Sequence, residues 1–142
     1  MPSVTRTITF DAPIDVVYDV IVDYDKYPEF VDGCDSTHIL SCDESGARVE
    51  YGLNLIKKFK YILALKHQRP TKVSWSFEEG DIFKVNEGSW QLKDLGDGKT
   101  EVQYDLNVEV KGFAPGALVR GLTEKNLPAM LEAYHKQAKK RA

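Results

Sequence analysis

The chain has little of what usually marks chemistry. It holds two cysteines and three histidines among 142 residues. Cys34 and Cys42, if both lie on one extended strand, stand about 26 Å apart at ~3.3 Å per residue. A disulfide spans roughly 7 Å between Cα atoms, so an internal bridge is excluded on that reading. The spacing fits neither a zinc motif nor a redox dithiol, which leaves two plain thiols. His38, His67 and His135 do not cluster, and none has a second histidine or cysteine at ligand spacing, so no metal is expected. No nucleophile elbow, phosphate loop or dinucleotide fingerprint occurs, and no cofactor is expected. No apolar run approaches the ~18 residues of a membrane span. The opening residues, MPSVTRTITF, lack the apolar core of a signal peptide, which makes the cytoplasm the default location. Positive charge is not in excess either. The net charge is −3, which withholds the basic field that draws a protein to DNA. Nothing signals an oligomer.

What is present is an ordinary globular balance, with 42% hydrophobic and 29% charged residues. At this length folding buries roughly 68% of the unfolded surface, and one domain over residues 1–142 is expected.

Periodicity supplies the architecture. Val4, Ile8 and Phe10 alternate with Thr5, Thr7 and Thr9, a strand over 4–10. Asp11 offers an N-cap before Pro13, and Val16, Val17, Val20 and Ile21 form an apolar stripe, so a helix is predicted across 13–22. A brief second helix near Pro28 follows, closed by Gly33. From residue 35 the period becomes two and stays there. Strands are predicted over 36–42 and around Val49–Leu55, Phe59–Leu65, Val73–Phe77, Gly88–Leu92 and Val102–Val110, with turns at DESG 43–46 and GDGK 96–99. Short connections make this an antiparallel meander with one dry face and one wet face. The dry face needs a cover. Pro115 opens a broadly helical stripe, Leu118, Leu122, Leu127, Met130, Leu131, Tyr134 and Ala138. Pro128 and Gly121 predict a kink or break near 124–128.

The order strand, two short helices, six-strand meander and long final helix is that of the helix-grip fold. VDYDKYPEFVDGC at 22–34, P-x-x-V-x-W-x-F at 70–77, Gly88-Ser89-Trp90-x-Leu92 and GFAPGALVRGL at 112–122 resemble START-like (SRPBCC) proteins of the polyketide cyclase and coenzyme-Q-binding branch. The resemblance covers nearly the whole chain. It implies an α+β fold in which a curved antiparallel sheet of about seven strands wraps a long, kinked C-terminal helix. It also implies an apolar cavity between sheet and helix. The superfamily includes coenzyme Q and lipid carriers, polyketide aromatase/cyclases and a bacterial toxin that binds the large ribosomal subunit.

The candidate ligand-binding residues are those of the dry face and its cover: Tyr51, Tyr61, Leu63, Trp75, Phe77, Trp90 and Tyr104 from strands, with Leu118, Leu122, Met130 and Tyr134 from the helix. Each alone could be ordinary packing. Together they turn several phenol and indole groups inward, and such groups normally need polar partners that a cavity with a ligand can supply. Tyr27 and Phe30 could rim the cavity mouth or plug the open end of the sheet, and GFAPG at 112–116 could act as a gate. Most carboxylates fall on wet strand faces, so no paired-acid site is expected, and no catalytic residue is assigned. Three readings follow: a binder or carrier of a lipid, quinone or polyketide-like molecule, an aromatase/cyclase, and a ribosome-associated or protein-interaction factor. The basic run His135 to Arg141 leaves open a transient contact with a ribosome or an anionic membrane surface.

Overall fold

Each alternating segment forms a strand, and the described parts of the apolar stripes form helices. The computed structural model describes residues 3–31, 34–54, 58–81, 83–110 and 127–142. The elements in chain order are β1 (Ser3–Phe10), α1 (Ile14–Val22), a single 3-10 turn (Tyr24–Lys26), α2 (Tyr27–Phe30), β2 (Cys34–Cys42), β3 (Gly46–Asn54), β4 (Lys58–Gln68), β5 (Lys72–Gly80), β6 (Phe83–Gly96), β7 (Lys99–Val110) and α3 (Leu127–Arg141). All seven strands join one antiparallel sheet in the order β1-β7-β6-β5-β4-β3-β2. The meander therefore runs from β2 to β7, and β1 adds to its far edge by pairing with β7 from Ser3↔Asn107 to Phe10↔Thr100. Register shifts in β2–β3, β4–β5 and β6–β7 are the bulges that bend strands and raise their twist. The sheet curves accordingly, and its concave face is the dry one predicted from the alternation.

Two local readings change. Asp11 is not the N-cap of α1. Pro13 takes that position in extended geometry, with no side-chain cap. Asp11 instead donates its backbone N–H to His135 Nε2 at 3.1 Å. Strand β6 also starts at Phe83, well before the alternation at Gly88 suggested. The register shift between Phe83 and Val85 breaks the period of two, which hides the first part of the strand in the sequence. The helix opening at Pro115, the gate segment 112–116, the closing Gly33 and the break near 124–128 fall wholly or largely outside the described residues. Pro128 itself lies at the second residue of α3.

The cover is held along its C-terminal half. Leu127, Leu131, Tyr134 and Ala138 are the buried residues of α3, at the i, i+4, i+7, i+11 spacing of a single helical face. Phe10 stacks on His135 with centroids 4.9 Å apart, and Arg141 donates to Asp23 Oδ2 at 2.8 Å. The start of β7 is tied to the turn after β1 by Thr100, fully buried, whose Oγ1 donates to the Ala12 carbonyl at 2.8 Å. Thr100→Val keeps the shape and leaves that carbonyl without its donor. Urea unfolding is expected to show a loss of about 1–3 kcal/mol with an unchanged m-value; a loss below ~0.5 kcal/mol contradicts this account of the tie.

Candidate functional site

Between the concave face and α3 lies a cavity of about 160 Å³. A single water needs roughly 10–15 Å³ on this kind of measure, and an apolar cavity near 150 Å³ can hold one benzene ring. The interior is therefore not closed packing. It is bounded by rings that touch one another.

The rings follow each other around the space. Tyr61 and Tyr51 are direct cross-strand partners on β4 and β3, and their rings stack at 5.5 Å. Tyr51 meets Tyr27 at 6.1 Å, and Tyr27 meets Tyr134 edge-on at 5.4 Å. Tyr134 stacks on Trp90 at 4.8 Å, Trp90 meets Tyr104 at 4.7 Å, and Tyr104 meets Trp75 at 5.4 Å. These separations fall in the favourable range for aromatic pairs. Gly88 makes room for the last of them. A Cβ there would clash with the Asp105 carbonyl and stand 2.7 Å from Trp75 Cζ2.

Of the residues singled out from sequence, Tyr27, Tyr51, Tyr61, Leu63, Trp75, Trp90, Tyr104, Met130 and Tyr134 line the cavity. Phe30 and Phe77 do not appear in its lining. Phe30 packs behind the wall, against Tyr27 at 5.8 Å and Tyr134 at 5.5 Å. Phe77 lies beyond the last β5–β6 pair, Trp75↔Gly88, and rests on Phe83 at 6.2 Å. Leu118 and Leu122 lie outside the described residues. The sequence reading missed Tyr24, Cys34, Asn86, Leu106 and Val108, all in the lining. Asn86 had a usable signal, because it shares the parity of Gly88, Trp90 and Leu92.

The polar groups divide in two. Some are spent on the protein itself. Trp75 Nε1 donates to Asn86 Oδ1 at 3.0 Å, and the Tyr27 hydroxyl donates to the Ile21 carbonyl. Tyr24 OH lies 2.9 Å from His67 Nε2, and His67 Nδ1 lies 3.3 Å from the Asp43 carbonyl. A carbonyl can only accept, so Nδ1 carries the proton and Tyr24 donates. Burial holds the His67 pKa below its ordinary value. By contrast, the hydroxyls of Tyr51, Tyr61 and Tyr104 have no hydrogen-bond partner among the described residues.

Burial raises the pKa of Tyr27, Tyr51, Tyr61, Tyr104 and Tyr134 far above that of a free phenol. The Cys34 thiol is pushed up to about 11, first by burial and then by Asp35. No described lining residue is Asp, Glu, His, Lys or Arg. The described wall thus offers neutral O–H donors, and among the described residues no activated base or nucleophile. Among the described residues no group of His, Cys, Asp or Glu is placed to hold a metal ion, and no helix is long and apolar enough to cross a membrane. The basic run divides as well. His135 faces Phe10 and Arg141 is engaged by Asp23. Lys136 and Lys140 border a separate shallow groove beside Phe30 on the outer side of α3. Arg69 pairs with Asp19 at 2.5 Å and lies over the Tyr18 ring at 4.5 Å, away from the cavity lining.

Comparison with known proteins places this geometry in context. The sequence profile of the family described as polyketide cyclase / dehydrase and lipid transport matches residues 10–134. The ribosome association toxin RatA of Pseudomonas aeruginosa is 24% identical over 139 residues, which covers 96% of this chain and 94% of that protein. Among solved structures, a START superfamily protein from Mycobacterium smegmatis is similar with a TM-score of 0.87 at 22% identity, over 99% of both chains. The Zhui aromatase/cyclase from Streptomyces sp. R1128 is similar with a TM-score of 0.88 at 17% identity, over 99% of this chain and 94% of that one. At these identities the structural likeness shows the fold.

The phenols give a direct test of the lining. A pKa raised in the folded state means that folding favours the protonated form. That stability is present below the free phenol's pKa of about 10 and is lost as pH rises beyond it. Ultraviolet difference titration is expected to show the six lining phenols, Tyr24 included, un-ionised at about pH 11, then ionising together with unfolding. A smooth titration of all tyrosines centred near pH 10 in a folded chain would contradict it.

Proposed function

Because the chain belongs to the polyketide cyclase / dehydrase and lipid transport family, we propose that it binds or carries a hydrophobic small molecule, a lipid, quinone or polyketide-like compound, in the cytoplasm. The observation that carries this reading is the cavity of about 160 Å³ between sheet and α3, walled by aromatic rings and supplied with phenols that no described residue satisfies. Such a site is mostly apolar with a few placed polar groups, the usual composition of a small-molecule pocket. The candidate ligand-contacting residues are Tyr27, Tyr51, Tyr61, Leu63, Trp75, Trp90, Tyr104, Met130 and Tyr134. Native mass spectrometry of the chain purified from its own cells, with solvent extraction of the same sample, is expected to reveal an added apolar mass. Bare protein and an empty extract would overturn the reading.

A cyclase reading draws support from the likeness to the Streptomyces aromatase/cyclase, and a neutral phenol can polarise a carbonyl by donating to it. Acid–base cyclisation also needs a proton acceptor with a pKa near the working pH. The described lining offers raised phenols and a raised thiol instead, so binding is the stronger reading. A ribosome contact has one specific support, the 24% identity to RatA over nearly the full length of both chains. Lys136 and Lys140 on the outer side of α3 are then the candidate contacts. On that reading sucrose-gradient sedimentation at low salt should carry the chain with ribosomal subunits, and Lys136→Glu with Lys140→Glu should release it. Absence of co-migration at low salt counts against this alternative.

A further inference from the structure

We infer that the ligand is an uncharged ring compound whose carbonyl or ether oxygens are read by the hydroxyls of Tyr51, Tyr61 and Tyr104. This deepens the proposed function and rests on its cavity. Three observations carry it.

First, the three side chains are deeply buried, at 7%, 8% and 7% exposure, and their hydroxyls have no partner among the described residues. Buried polar groups are almost always hydrogen-bonded, so groups left open toward a cavity point to what fills it. Second, the open groups are donors. A phenol donates readily, and Asn86 spends its Oδ1 on Trp75, which leaves its NH₂ as the free side. No carboxylate stands in the described lining. A donor-rich wall selects a ligand that accepts. Third, the described part of the wall carries no cation. No described lining residue is Lys, Arg or His, so a carboxylate or phosphate entering here would be buried without a counter-charge, which is costly. This separates a neutral ketone, ether or lactone from a fatty acid.

The arrangement also bears on shape. Tyr51 and Tyr61 are cross-strand neighbours with stacked rings, and they project side by side from the β3–β4 wall. Tyr104 projects from β7, three strands along from β4. Three strand spacings are about 14 Å on a flat sheet, and curvature brings the two walls nearer. The cavity volume is on the order of one ring. A ring between the walls meets the donor pair on one side and the single donor on the other.

Three probes of matched size test this on the whole chain by ligand-detected NMR titration: acetophenone (neutral, accepting), ethylbenzene (neutral, no acceptor) and benzoate (charged). At pH 7 acetophenone is expected to bind about fivefold or more tighter than ethylbenzene and about tenfold or more tighter than benzoate. Tyr51→Phe, Tyr61→Phe and Tyr104→Phe keep the rings, and their combination is expected to bring the acetophenone-to-ethylbenzene ratio close to one. Thermal unfolding confirms that these variants fold, and the comparison on the unaltered chain stands without them. Ethylbenzene or benzoate binding as tightly as acetophenone overturns the inference and leaves the cavity reading intact. A ratio that survives the triple variant overturns the assignment to these tyrosines. If no probe binds at millimolar concentration, both readings fall.

Discussion

The ring of Tyr134 is the point on which the rest of the structure depends. It is 2% exposed on α3 and touches Tyr27 and Phe30 from the entry helices and Trp90 from the sheet. A sheet with one dry face must be covered, and α3 shares that covering with α1 and α2. One aromatic side chain therefore joins three layers. Because its neighbours are also rings, they meet edge to face or stacked at 4.8–5.5 Å. They prop the cover away from the sheet floor and leave the space between. Aliphatic side chains at the same positions would interdigitate and fill it.

Much of the fold was legible because a period of two assigns a face without reference to anything distant. Tyr51, Tyr61, Trp75, Trp90 and Tyr104 were all placed on the dry side by parity alone, and all five line the cavity. Parity fails where the backbone breaks step. The shift between Phe83 and Val85 hid the start of β6, although Asn86, which follows the shift, keeps the parity of Gly88 and Trp90. It also says nothing of position along a strand. Phe77 has the right parity, but β5 has already parted from β6 at Trp75↔Gly88, so its ring packs on Phe83. Asp11 before Pro13 has the composition of a cap, yet the cap position falls to Pro13, and the Asp11 N–H is taken by His135. That contact joins residues far apart in sequence and has no local signature. The cavity volume was likewise out of reach, since it depends on curvature set by the bulges.

The polar economy of the interior is where fold and function meet. Trp75 and Tyr27 are satisfied within the protein by Asn86 and the Ile21 carbonyl. These bonds tie β5 to β6 and α2 to α1. Tyr24 is tied outward instead, through His67 to the Asp43 carbonyl, which anchors the 3-10 turn to the loop after β2. These polar groups are thus satisfied within the protein, while the hydroxyls of Tyr51, Tyr61 and Tyr104 make no hydrogen bond to a described residue.

Raised phenol pKa values limit the chemistry in the same way that they permit binding. A side chain that keeps its proton across the physiological range is a constant donor, so its contribution to holding a carbonyl oxygen does not vary with pH. It also cannot take a proton from carbon, since the conjugate base is disfavoured by the same burial that makes the donor effective. The two properties have one cause, desolvation by the aromatic wall. Proton transfer in such a cavity would require a group whose proton is easily lost, and burial in this wall would work against any carboxylic acid placed there to supply it. The ring lattice that props the cavity open thus also favours recognition over proton transfer.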